Sequence, residues 1–196
     1  AGDIPAGERF LADLTPFVWR KYFDFAAIAD VHAMKRQIHA YKGFATIGVA
    51  GHNIKLGRGG IREIEFFAQT QQLIVGGRQK DLRVADTLSA LRMLADRGWI
   101  KPKVRAELDA CYRILRTVEH RLQMIADEQT QTLPDDPIEL DKLARFCGYP
   151  DVAAFSEVLV ANLQTVQGHY AALFEDVPEL TSSGANMVFA GEADDP

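Results

Sequence analysis

Residues 102–127, PKVRAELDACYRILRTVEHRLQMIAD, carry the pattern that decides the fold. Leu108, Cys111, Leu115, Val118, Leu122 and Ile125 recur at steps of three and four, so a helix places them in one unbroken apolar stripe. Pro102 suits the start of that helix, because a first-turn residue needs no N–H donor and proline's φ is already helical. Asp109, Arg113, Arg116, His120, Gln123 and Asp127 follow the same steps on a polar line, with Glu119 and Arg121 beside it. A helix divided in this way needs other helices to cover its apolar side.

The flanking sequence supplies them. Val152, Phe155, Leu159, Leu163, Val166, Tyr170 and Leu173 predict one face of a helix over 150–175. Pro137 to Phe146 reads as a short helix closed by Gly148, and the polar stretch 128–137 before it as a loop. Asp86 to Arg97 puts Leu88, Leu91 and Leu94 inside, with Gly98 as its cap. Ile61 to Val75 is helical and stops at Gly76-Gly77. Thr15-Pro16 has the form of a helix start, which predicts a helix over 15–41 with a break near Asp24. Residues 43–60 hold Gly43, Gly48, Gly51, Gly57, Gly59 and Gly60, too many for a helix; they read as a loop with short extended pieces at 45–49 and 53–56. From Val177 the texture turns to Pro, Ser, Gly, Ala and Asp, a linker or disordered tail. The expectation is an all-α bundle of six or seven helices over 1–178, one Gly-rich loop, and a tail over 179–196.

Composition narrows the function. A chain of 196 residues fits one domain. Its 22 Lys+Arg against 27 Asp+Glu leave a net charge of −5, which argues against a nucleic-acid coat while leaving room for a local basic pocket. No apolar run has membrane-spanning length, and Ala1 to Phe10 lacks the charged start and apolar core of a signal peptide. Two cysteines cannot build a disulfide framework, so a reducing cytoplasm is expected. The absence of an initiating Met gives the chain the look of an excised piece of something larger.

Two places carry candidate chemistry. Lys55-Leu56-Gly57-Arg58-Gly59-Gly60-Ile61-Arg62 runs from a Gly-rich turn into a helix. Free N–H groups and a positive dipole end make such a junction an anion site, and Lys55, Arg58 and Arg62 add cations. Arg62 sits against the helix dipole, so a phosphate or a carboxylate such as Glu63 or Glu65 must favour it. The spacing matches neither a Walker loop nor a dinucleotide fingerprint. The alternative is a plain turn with Arg–Glu surface pairs. The second place is the polar line of 109–127, either a solvated face laced with ion pairs or a docking face for another domain. His32, His39, His52 and His169 show no metal-ligand spacing with cysteine. Cys111 lies on the apolar stripe and reads as core. Glu63 and Glu65 are two apart on a helix and diverge.

Three separated segments resemble one family. KLGRGGIREIEFF (55–67), with Gln69, Gln71, Gln72 and Gly76-Gly77-Arg78 after it, is similar to the glutamine synthetase adenylyltransferase/adenylyl-removing enzymes. So are RTVEHRLQMIADEQTQTLP (116–134) and PFVWRKYFD (16–24). The likeness runs over roughly residues 4 to 178. That family is a tandem, each half a nucleotidyltransferase domain followed by a helical domain, and this chain resembles the helical domain of the first, adenylyl-removing half. The resemblance implies that the catalytic Asp-x-Asp pair lies before Ala1. It implies removal of AMP from adenylylated glutamine synthetase by phosphorolysis, releasing ADP, while the other half uses ATP to attach AMP. It also implies magnesium in the intact enzyme but none on this piece, and responses to the PII signal protein and glutamine. On this view Lys55, Arg58, Gly59, Gly60 and Arg62 hold phosphate or nucleotide. Arg116, Glu119, His120 and Gln123 face the chain's own nucleotidyltransferase domain. No catalytic residue and no metal ligand is expected within the chain. A regulatory module passing PII or glutamine signals, with the Gly-rich loop as a hinge, and a structural spacer are the alternatives.

Overall fold

A computed structural model describes residues 2–21, Ala33 and 46–175. Their helices are α1 (Ile4–Val18), α2 (Ile61–Val75), α3 (Thr87–Asp96), α4 (Pro102–Ala126), α5 (Pro137–Phe146) and α6 (Val152–Glu175), with a 3-10 turn at Lys80–Leu82. No strand occurs among the described residues, and the fold is all-α as expected. None of the described helices is long and apolar enough to cross a membrane.

Helix α4 is the axis of the bundle. It packs against α2, α3, α5 and α6, and α2 packs in turn against α3 and α6. Its stripe is buried from Leu108 through Leu122, where it meets Leu91 and Leu94 of α3, Ile64 and Phe67 of α2, and Phe155, Leu159 and Leu163 of α6 in one core. Burial of that stripe, at about 25 cal/mol per Å² of apolar surface, is the main force holding α4 in place. The stripe ends one residue short of the expectation: Ile125 is exposed, since none of the described helices covers the last turn of α4.

Local chemistry sets the ends. The Asp86 carboxylate accepts from Ser89 N at 2.8 Å, and Asp136 from Ile138 N at 2.9 Å and Glu139 N at 3.0 Å, so both are N-caps. Gly98 and Gly148 turn the chain out of α3 and α5 with φ of +75° and +85°. At the end of α2 the glycines have a different use. A Cβ on Gly76 would come within 2.6 Å of the Trp19 ring, and one on Gly77 would strike the Arg20 carbonyl.

The expectation for the N-terminus needs correction. Helix α1 begins at Ile4, not at Thr15, because Asp3 caps it through Ala6 N at 3.0 Å and Pro5 occupies its first turn. Thr15-Pro16 lies near its end instead, where the Thr15 hydroxyl donates to the Leu11 carbonyl at 2.9 Å. The break comes at Val18, before a non-helical Trp19. The remainder of the expected 15–41 helix falls outside the described residues, apart from Ala33, as do the expected tail and the domain boundary at 178. Residues 46–60 are irregular, and the extended piece expected at 53–56 is a single antiparallel bridge, Asn53 to Thr132, followed by turns.

Candidate functional site

The Gly-rich segment is shaped by one asparagine. The Asn53 side-chain oxygen accepts from Lys55 N at 3.2 Å and Leu56 N at 2.7 Å, which folds the chain back on itself. Its amide donates to the Thr132 hydroxyl at 3.1 Å. Ile54 N donates to the Gln131 carbonyl and Leu133 N to the His52 carbonyl, both at 2.9 Å. The loop before α2 is therefore clasped to the loop after α4.

The helix N-terminus is not an open anion nest. Ile61 N donates to the Ile54 carbonyl and Arg62 N to the Lys55 carbonyl, both at 3.0 Å, and Glu63 N to the Gly60 carbonyl at 2.9 Å. Gly57 N and Gly60 N are also bonded within the loop, and Gly59 N donates to the buried Glu63 carboxylate at 2.9 Å. The free N–H groups expected from the sequence are consumed by the turn itself, because the chain reverses tightly enough to bring its own carbonyls over the first turn of α2. Gly59 has φ of +76°, and a Cβ there would fall 2.1 Å from the Leu163 carbonyl of α6. Gly59 and Gly60 thus serve close backbone packing in this chain.

The side chains of the two candidate places converge. Glu119 of α4 is almost wholly buried, and its carboxylate meets Lys55 Nζ at 3.2 Å and Arg116 Nη1 at 2.6 Å. Arg116 Nη2 lies 3.2 Å from His120 Nε2, and His120 is exposed. The cation of the Gly-rich turn and the cation of the polar line therefore share one counter-ion. A carboxylate in this position needs a paired cation to offset its desolvation, and here two supply it. Arg62 pairs with Glu65 at 2.9 Å across one turn, and half of its side chain remains in solvent. Arg58 is exposed beside it. Gln123 lies one turn beyond Glu119, half-buried, and its carbonyl accepts the N–H of Asp127, which ends α4 in the left-handed region at φ 51°. Farther along, Arg113 and Arg105 both pair with Asp109, a solvated ladder outside the cluster.

His52 and Asn53 were not among the residues singled out from the sequence as a site. Their only signal was a polar pair ahead of the Gly-rich turn. His52 is buried, and Nε2 has no hydrogen-bond partner within the protein. Burial lowers its pKa below 6.5, against the opposing pull of a hydrogen bond to the Arg58 backbone and of the Glu63 charge. The folded chain resists a proton that the unfolded chain accepts. Stability is therefore present at neutral pH and is lost as pH falls from 6.5 toward the lower folded-state value, below which the loss is complete. The unfolding free energy should rise as pH climbs toward neutrality, and His52→Gln should flatten that slope. An unaltered slope in urea titrations would assign it elsewhere.

The cysteines are core groups. Burial pushes the Cys111 thiol up to about 11, and Cys147 also upward, so neither favours the thiolate. Among the described residues no three His, Cys, Asp or Glu side chains are grouped to hold a metal ion.

Comparison with known proteins places this arrangement. The family model described as GlnD PII-uridylyltransferase matches residues 31–174, the span of the bundle and its clasped loops. The chain belongs to this family. It is also 58% identical over all 196 residues to a bifunctional glutamine synthetase adenylyltransferase/adenylyl-removing enzyme of Mesorhizobium japonicum. Proteins of the same name from Brucella melitensis and Rhizobium meliloti match at 57% and 58%, again across 100% of the chain. The chain spans 20% of the length of each of these relatives. The span matched by each of these relatives includes α2 to α6 and the loops between them.

Proposed function

We propose that this chain is the helical domain of the adenylyl-removing half of a longer bifunctional nucleotidyltransferase. There it supports phosphorolytic removal of AMP from adenylylated glutamine synthetase. The observation that carries this reading is the convergence of Lys55 and Arg116 on Glu119, with His120 against Arg116 and with Arg58 and Arg62 exposed at the turn beside them. The names of the relatives supply adenylyl removal and glutamine synthetase, and the family resemblance implies that the removal is phosphorolytic.

Phosphorolysis brings inorganic phosphate, a dianion near neutrality, against a phosphoryl group that is already negative. Protein contributes mainly positioning and compensating charge. In this chain the compensating charge is on side chains, since the backbone donors of the turn are occupied. Arg58 and Arg62 supply it from a rigid clasped loop. Lys55 and Arg116, tied to Glu119, fix the loop to α4. Arg116, Glu119, His120 and Gln123 then form the face toward the nucleotidyltransferase domain. In this reading magnesium belongs to the nucleotidyltransferase domain of the longer protein. PII and glutamine act on the longer protein, and the bundle is the element through which such a signal would reach the turn.

Arg62→Ala in the full-length protein should lower the AMP-removing rate by about tenfold or more, the worth of one charge-assisted hydrogen bond. Its thermal midpoint should stay within about 2 °C, since Arg62–Glu65 is a half-exposed pair of little stability. An unchanged rate rejects the role.

A further inference from the structure

One peptide bond of the Gly-rich turn is held from both sides. Gly60 N donates to the Gly57 carbonyl at 3.0 Å, which makes residues 57–60 a β-turn with Arg58 and Gly59 at its centre. Gly59 has φ of +76° and Arg58 does not have a positive φ, so the turn is of type II. A half-rotation of the central peptide, the Arg58 carbonyl with the Gly59 N–H, would give type I, which closes the same bond. Two buried side chains oppose that rotation. The Glu63 carboxylate, in a residue only 2% exposed, accepts from Gly59 N at 2.9 Å. The His52 ring lies so close to Gly57 that a Cβ there would come within 2.9 Å of Cε1 and Nε2, and the ring hydrogen-bonds the Arg58 backbone. That bond favours the protonated ring, so the ring donates and the Arg58 carbonyl accepts. The donor is Nδ1, because Nε2 has no partner. After a flip the Arg58 carbonyl would face the Glu63 carboxylate in place of the Gly59 N–H, exchanging an attraction for a repulsion in a site closed to water.

We infer that Glu63 is a positioning residue for Arg58: by holding the Gly59 amide it fixes the turn in its type II form, and with it the backbone from which the Arg58 guanidinium reaches an anion. This rests on the reading of Arg58 as a phosphate ligand given above. The ψ angle of Arg58 would differ by about 150° between the two turn types, and the rotamers open to a side chain follow its φ and ψ. A pinned peptide therefore presents one set of Arg58 conformers, where a flipping one would divide them and weaken anion binding. Being buried, Glu63 acts through the backbone and not on the anion itself.

Three variants of the full-length protein separate reach from charge. Glu63→Leu removes the acceptor. Glu63→Asp keeps the charge but falls one methylene short of Gly59 N. Glu63→Gln keeps an oxygen at the right length. Hydrogen exchange of a peptide covering residues 57–62 should be faster in the first two than in the third. In AMP removal, the apparent KM for phosphate should rise about fivefold for Leu and Asp, with a smaller change in kcat, and stay within about twofold for Gln. On an Arg58→Ala background the Leu change should add nothing further. If Glu63→Leu does not fold, Glu63→Asp carries the same test. Equal exchange in all three variants would overturn the inference. So would a phosphate KM untouched by Leu and Asp while Arg58→Ala raises it, or a fivefold loss that persists on the Arg58→Ala background; both leave the proposed function standing. A phosphate KM untouched by Arg58→Ala itself would reject phosphate binding by Arg58, and the inference with it, whatever the exchange shows.

Discussion

Gly59→Ala is expected to destabilise the chain by about 4 kcal/mol or more, the upper end for single substitutions. Two penalties coincide at this position. An alanine at φ +76° carries left-handed strain of about 1–2 kcal/mol. Its Cβ would also be driven to 2.1 Å from the Leu163 carbonyl, a backbone atom in the middle of α6 that has no rotamer to change. Relief requires the turn to lift from α6, which breaks the Gly59 N to Glu63 bond and exposes Ile61 and Leu163. Gly98→Ala is the control. Its φ is nearly the same, +75°, but nothing lies within 4 Å of the added atom, so only the strain of about 1 kcal/mol should appear. Urea unfolding of the two variants measures the difference. Equal midpoints would mean that the turn does not rest on α6.

The second large effect is expected from Lys55→Ala combined with Arg116→Ala. Either single change leaves Glu119 with one cation, and should cost about 1 kcal/mol. The double change strands a carboxylate with 2% of its side chain exposed, for which a cost of about 3–5 kcal/mol is typical. The sum of the singles should therefore fall short of the double by about 2 kcal/mol, within the range of coupling for residues that share a partner. A strictly additive cycle would show that the turn and α4 are held together by something other than Glu119.

These two predictions mark how far the sequence could be read. Helices α2 to α6 were legible because their apolar residues recur with helical period and their ends carry Asp, Pro and Gly at the expected places. Leu108 to Leu122 and Phe155 to Tyr170 are buried as that period requires. Helix α1 was not legible, since its apolar face is exposed and its cap, Asp3 with Pro5, was overshadowed by Thr15-Pro16. Of the candidate site, the residues were visible but their partners were not. Arg62 was expected to find phosphate or a carboxylate, and Glu65 stands 2.9 Å away. Lys55 and Glu119 are 64 positions apart, and no periodic pattern links them; the clasp of residues 52–54 to 131–133 and the packing of α2 on α4 bring their elements together. The turn's own carbonyls and the Glu63 carboxylate occupy donors that the sequence left free for an anion. The consequence for function is specific. On the proposed reading, anion recognition in this turn falls to the guanidinium groups of Arg58 and Arg62.

Phosphate saturation of the AMP-removing reaction addresses that assignment most directly, comparing the full-length protein with its Arg62→Ala variant on adenylylated glutamine synthetase. A guanidinium that contacts phosphate predicts an apparent KM for phosphate raised by about tenfold, with a smaller change in kcat and an unchanged KM for the adenylylated protein. Superimposable phosphate curves for the two proteins would contradict it.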